Sequence, residues 1–292
     1  MGDSDIFFRA MVPTTTRRNM APPFSIVEAH ERALPPFLST HRLSDVAPLG
    51  TPRFTPKDES ELLPAIFTAW NLLDAHMYTK EPSASFQTGY LRELQVRRMV
   101  QLIRQPHVKT YCEIGMNGGH SLTAMLLANP TLQAYTFDLF KWKYSWATAR
   151  LLNTSYPDRV EFHPGWSHQT LPPWTERMRA EKRTCDVMLV DGGHTFRAAR
   201  ADLEELNSVA NAQTRVVTDD IGMPPGFAIK VLNRTGLIRI EERYGPYPRK
   251  SRYSPCMRAP PKVQANGRLC PPWGFAVSRY LRPGERVVKS SR

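Results

Sequence analysis

Short apolar runs alternate with amphipathic helical stretches from about residue 106 to the end of the chain. This alternation is typical of a parallel β-sheet whose strands are joined by helices. Strands are predicted at Val108–Ile114, Ala134–Asp138, Val160–His163, Asp186–Val190, Val216–Asp219, Leu237–Arg243 and Gly274–Tyr280. The last two runs follow one another in hairpin-like succession, so we expect the last strand to be antiparallel.

Helices are predicted between these strands, at Ser121–Leu127, Tyr144–Leu152, Pro173–Lys182 and Ala198–Val209. Residues 58–77 and 88–104 precede the first strand and also carry apolar residues at helical spacing. The pattern predicts an α/β protein with a Rossmann-like, seven-stranded and mostly parallel sheet. Helices would cover both faces, and an N-terminal helical extension would precede the sheet.

The chain divides into three parts on composition. Residues 1–57 are rich in Pro, Thr and Arg and predict an irregular arm, and residues 58–105 predict a helical lid or extension. Residues 106–292 would form the main domain, with a basic loop at residues 244–273.

Charge changes this picture little. The formal net charge is +12, and residues 223–292 carry the whole surplus, with 15 basic and 3 acidic residues. A solvated basic face or tail explains this better than a nucleic-acid site, although nucleic acid stays open as a partner. The sequence does not determine the oligomeric state, and a homo-oligomer is one of the possibilities.

Location is predicted from what the sequence lacks. No apolar run approaches the roughly 18 residues of a membrane helix, and Asp3 and Asp5 stand where a secretory signal carries positive charge. We therefore expect a cytoplasmic protein without a membrane partner. Four cysteines do not indicate a disulfide scaffold in a chain of this length, and Cys112 and Cys185 lie in predicted buried runs.

A glycine-rich turn follows the first predicted strand. Its residues, from Glu113 through Gly115 and Gly119 to Ser121, have the spacing E-x-G-x-x-x-G-x-S. Glycines let the backbone turn tightly and approach a ligand, and the helix that follows offers free N–H groups to an anion. The spacing differs from the G-x-G-x-x-G of dinucleotide enzymes.

The next two strand ends offer further binding groups. Asp138 ends the second strand about 20 residues past the glycines, where an acid binds ribose hydroxyls. It does not separate a nicotinamide cofactor from S-adenosylmethionine, since both contain ribose. Trp166 and Ser167 follow the third strand and are as consistent with a plain turn as with an adenine site.

Three carboxylates and a histidine follow the fourth and fifth strands. Asp191 and His194 follow the fourth strand, and Asp219 and Asp220 stand at the end of the fifth strand. Carboxylates at adjoining strand ends would repel one another unless a cation lay between them, and all-oxygen ligation favours magnesium. His194 is placed to accept a proton from a hydroxyl beside the metal.

Residues from about Val108 to Ile221 resemble the metal-dependent small-molecule O-methyltransferases, the macrocin-type and catechol O-methyltransferases among them. The phrase VDGGHTFRAARADLEEL is similar to a segment of that group, with Phe196 in place of the commoner Tyr. The resemblance implies S-adenosylmethionine and magnesium as cofactors, and a hydroxylated small molecule as substrate. The implied cofactor residues are Glu113, Gly115, Gly119, Ser121, Asp138, Trp166, Ser167 and Asp191; the implied metal ligands are Asp191, Asp219 and Asp220; and the implied general base is His194.

Three other functions compete with this interpretation. A methyltransferase for RNA or protein would use the basic C-terminal region for docking. A Rossmann-like binding protein without catalysis would not need the Asp191–His194–Asp219–Asp220 set. A nicotinamide-dependent enzyme would be expected to carry G-x-G-x-x-G, which is missing here.

Overall fold

The computed structural model describes residues 56–80, 91–247, 273–282 and 284–285. Its helices are α1 Pro56–Lys80, α2 Glu93–Ile103, α3 His120–Ala128, α4 Lys143–Ser155, α5 Ser167–Ala180, α6 Phe196–Leu206 and α7 Pro224–Thr235. Its strands are β1 Thr110–Ile114, β2 Gln133–Asp138, β3 Val160–Pro164, β4 Val187–Val190, β5 Arg215–Thr218, β6 Ile238–Tyr247 and β7 Trp273–Tyr280. The predicted arm up to residue 55 and most of the predicted basic loop, residues 248–272, lie outside these residues.

The strands form one seven-stranded sheet in the order β3-β2-β1-β4-β5-β7-β6. Strands β1 to β5 are parallel to one another, and β7 runs antiparallel between β5 and β6. The predicted fold class is confirmed. The strand order reverses between β1 and β4, and open α/β sheets bind ligands at the carboxyl ends of the strands at such a point.

Two apolar cores lie on opposite faces of the sheet, because successive side chains of a strand point to opposite sides. On β1, Tyr111 belongs to the core that contains residues of α1, α2, α3 and α4. Cys112 and Ile114 belong to the other core, with residues of α5, α6 and α7. The N-terminal helices therefore lie on the side of the sheet that carries Glu113, where α1 packs on α3 and α4 and α2 packs on α3.

A disulfide joins Cys112 on β1 to Cys185, which lies just before β4. Both residues are buried, as their apolar surroundings in the sequence predict, but nothing in their spacing predicts the bond. Disulfides are uncommon in a reducing cytosol. The cytoplasmic location stays a prediction, and this bond weighs against it.

The helix α7 is not predicted from the sequence, since the run Pro224-Pro225-Gly226 reads as a break. Proline is tolerated in the first turn of a helix, where its missing N–H has no intrahelical partner. Gly226 is packed so closely that an added Cβ would lie 1.9 Å from the carbonyl oxygen of Ile221. None of the helices described combines the length and apolarity needed to cross a bilayer.

Candidate functional site at the carboxyl edge of the sheet

The turn between β1 and α3 lies against the carboxyl end of β4. Gly115 has φ +97°, and an added Cβ would lie 2.3 Å from the carbonyl oxygen of Asp191. Gly119 has φ +81° at the start of α3, and an added Cβ there would lie 2.7 Å from Cγ2 of Thr148. Both glycines are therefore required by backbone conformation and by close packing. The turn brings the backbone of Gly115 beside the residue that begins the acidic cluster.

Glu113 lies beneath this turn and is completely buried. Its Oε2 accepts hydrogen bonds from the hydroxyls of Tyr111 and Ser121, both at 2.8 Å, and its Oε1 accepts one from Thr136 at 3.1 Å. Burial raises the pKa of Glu113 to about 7, although the three hydroxyls oppose the shift. The carboxyl group thus fixes Ser121 in the first turn of α3. Tyr111 and Thr136 are site residues that the sequence analysis missed.

A pH-dependent stability follows from Glu113. Its pKa rises from an ordinary 4.5 to about 7 on folding, so its contribution to stability is fully present below pH 4.5 and is lost as the pH rises through 7. Glutamine does not titrate, so Glu113→Gln should not lose this stability as the pH rises. We therefore expect the difference in free energy of unfolding, variant minus original chain, to increase by up to about 3 kcal/mol from pH 5 to pH 8. Urea unfolding of both proteins at pH 5 and at pH 8 measures this difference. Parallel pH dependences in the two proteins would contradict it.

Asp138, at the end of β2, holds the other side of the turn. Its Oδ2 accepts the backbone N–H of Asn117 at 2.8 Å, and its Oδ1 accepts that of Phe140 at 2.6 Å. Tyr144 of α4 donates its hydroxyl to Oδ1 of Asn117 at 2.6 Å. Burial raises the pKa of Asp138, against the effect of these N–H donors. Since each carboxylate oxygen has a second lone pair, ribose binding by Asp138 stays a prediction.

The residues predicted to border adenine differ in their surroundings. Trp166 is 58% exposed and follows β3 at the carboxyl edge. Ser167 begins α5 and is only partly exposed. Trp166 is therefore accessible at this edge, while Ser167 is partly covered. Phe140 and Tyr144, two aromatic residues after Asp138, are buried in the core.

Asp191, His194 and Asp220 come together where β4 and β5 end. Each offers one ligand atom, and these atoms all lie within 4.8 Å of one another. Nδ1 of His194 lies 2.8 Å from Oδ2 of Asp220, and the side chain of His194 is 52% exposed. Asp220 has φ +53°, so the chain has left the strand before this residue and its carboxylate turns toward β4.

Asp219 has a different environment from Asp191 and Asp220. Its Oδ1 accepts the indole N–H of Trp273 at 2.9 Å, and its Oδ2 lies 3.8 Å from the guanidinium of Arg92. That guanidinium also lies over the Trp273 ring, 4.1 Å from its centre. The cluster thus differs from the predicted set of three aspartates, because it contains His194 and leaves out Asp219. Nothing in the sequence indicates that Arg92 or Trp273 reaches this site.

The acidic residues of this edge raise one another's pKa values. Burial and the neighbouring Asp219 and Asp220 raise the pKa of Asp191 well above its usual range. Burial and Asp220 raise the pKa of Asp219 to about 6, while Arg92 opposes this. The hydrogen bond to Asp220 raises the pKa of His194. These directions indicate a site that favours an additional positive charge.

Comparison with known proteins finds a family match in the part of the chain that contains the candidate site. Residues 112–221 match the family model of a methyltransferase domain. That range runs from β1 to the residue after Asp220. A search of curated proteins by sequence found no match.

Solved structures share the fold at low sequence identity. An O-methyltransferase from Bacillus cereus in complex with S-adenosylhomocysteine (SAH) is 14% identical, with a TM-score of 0.52, over 72% of this chain and 90% of that one. The O-methyltransferase TomG from Streptomyces achromogenes, involved in tomaymycin synthesis and solved with S-adenosylmethionine (SAM), is 14% identical, with a TM-score of 0.53, over 72% and 89%. Residues 112–221 therefore match a methyltransferase domain, and the chain shares the fold of these two O-methyltransferases.

Proposed function

We propose that the protein transfers a methyl group from SAM to a hydroxyl of a small molecule, assisted by magnesium, with His194 as the general base. The observation that carries this proposal is the meeting of Asp191, His194 and Asp220 beside the glycine-rich turn. A cofactor site and a carboxylate–histidine cluster are thereby adjacent. Both solved structures compared above are described as O-methyltransferases, which supports oxygen as the acceptor atom.

The residues present suit a divalent cation. Asp191 and Asp220 offer carboxylate oxygens, which magnesium prefers, and mutual repulsion contributes to the raised pKa of Asp191. We assign the metal to Asp191 and Asp220. Asp219 contacts Trp273 and Arg92. It adds negative charge to the site, and we do not assign it as a metal ligand. The metal would lower the pKa of the acceptor hydroxyl.

The chain's own residues supply orientation and proton transfer. Because Asp220 engages Nδ1 of His194, Nε2 is left to accept the proton of the hydroxyl. The acceptor oxygen then forms a bond to the methyl carbon as the carbon–sulfur bond of SAM breaks, with the electron pair remaining on sulfur. The buried Glu113 and the turn from Gly115 to Ser121 fix the donor end, so the protein contributes alignment and electrostatics.

The test is methyl transfer to a panel of hydroxylated small molecules, measured as SAH formed with magnesium and then with a chelator. We expect activity on at least one member to fall more than tenfold in the chelator and to return when magnesium is restored. Titration with SAH in the chelator provides the control, because cofactor binding should persist. Full activity in the chelator would contradict the role of the metal.

A further inference from the structure

Helix α1, from the N-terminal extension, packs on the first turn of α3. Oδ1 of Asp74 lies 3.0 Å from Nε2 of His120, whose side chain is completely buried. The indole N–H of Trp70 donates to the backbone carbonyl of His120 at 2.8 Å. The rings of Trp70 and His120 also meet edge to face, with centres 5.7 Å apart. Two side chains of α1 therefore hold both the side chain and the backbone of one residue.

His120 connects α1 to the glycine-rich turn between β1 and α3. It follows Gly119, whose φ of +81° sets the start of α3, and it precedes Ser121, which donates to Glu113. The N–H groups of this first helical turn are the donors that the fold offers to an anionic group of the cofactor. Any rotation of His120 would therefore move the groups on either side of it.

We propose that Asp74 is a positioning residue for SAM, acting through His120, with Trp70 as a second anchor. A carboxylate only accepts hydrogen bonds, so the Nε2–H of His120 donates to Asp74. This pair fixes the first turn of α3 before the cofactor arrives, and less conformational entropy is then lost on binding. The inference rests on cofactor binding by the β1–α3 turn and is independent of the metal and of the acceptor.

The experiment is direct titration of purified full-length variants with SAH, without metal or acceptor. We expect Asp74→Ala to raise the Kd about tenfold, a loss of about 1.4 kcal/mol. Asp74→Asn keeps an acceptor oxygen and should stay within about threefold of the original chain. Trp70→Phe keeps an aromatic ring but loses the N–H, and should raise the Kd several-fold. Asn71→Ala is the matched control, since Asn71 is exposed on the same helix.

A kinetic comparison separates positioning from a general loss of structure. In Asp74→Ala, the KM for SAM should rise, while kcat at saturating SAM and the KM for the acceptor change less than threefold. If Asp74→Ala does not fold, Trp70→Phe decides the matter. An unchanged Kd for SAH in the folded variants would overturn the inference. Failure of the metal or acceptor proposal would leave the titration result unaffected.

Discussion

His194→Ala is expected to lower kcat by roughly 10²–10⁴ while SAH binding and magnesium binding persist. In the structure, Nδ1 of His194 lies 2.8 Å from Oδ2 of Asp220, and the half-exposed imidazole lies at the carboxyl edge of the sheet. The hydrogen bond to Asp220 raises the pKa of His194. The original enzyme should therefore lose activity at acidic pH, since protonated imidazole cannot accept a proton. This acidic limb of the pH–rate profile should vanish in His194→Ala.

His107→Ala is the matched control for this prediction. His107 is exposed and precedes β1, at the opposite end of the sheet from the candidate site. Its removal should leave kcat and the pH profile unchanged. A His194→Ala enzyme with undiminished kcat, or with the acidic limb intact, would show that another group takes the proton.

Asp191→Asn is expected to remove magnesium-dependent activity and to stabilise the metal-free protein. The pKa of Asp191 is raised by burial and by Asp219 and Asp220, so its charged form is disfavoured in the folded state. A neutral amide of the same shape removes that repulsion and also removes a ligand. We expect magnesium to raise the Tm of the original chain but not that of the variant, because a ligand stabilises only the protein that binds it. Calorimetric titration should show at least a hundredfold weaker magnesium binding.

Asp158→Asn serves as the control for Asp191→Asn. Asp158 is exposed in the loop before β3 and has φ +61°, a conformation that asparagine also tolerates. This variant should keep the metal response of the original chain. Equal magnesium-induced shifts in Tm for Asp191→Asn and the original chain would contradict metal binding by Asp191.

The sequence was sufficient to predict the architecture, because the periodicity of apolar residues that distinguishes helices from strands can be read over short stretches of chain. The alternation of apolar runs with helical stretches predicted a seven-stranded sheet, and the structure contains it with β7 antiparallel. The glycine-rich turn was equally readable, since Gly115 and Gly119 have backbone conformations that disfavour other residues. The helix α7 was missed because prolines that break a helix interior are tolerated at its start.

The candidate site was readable only in part. The sheet brings Asp191 and Asp220 together because β4 and β5 are parallel neighbours, and the sequence places each residue at a strand end. That rule does not say where a side chain turns after its strand has ended. Asp219 and Asp220 are adjacent in the sequence, yet the structure directs one to Trp273 and the other to His194.

Contacts between distant residues were decided by tertiary structure alone. Trp273 is 54 residues from Asp219, and Trp70 is 50 residues from His120. No local sequence pattern predicts either contact. The bond between Cys112 and Cys185 depends likewise on two strands becoming neighbours. Periodicity and backbone preference thus determined the elements and the glycine-rich turn. Packing of remote segments decided which aspartates face the site and how the N-terminal helices hold it, because such contacts exist only once the chain has folded.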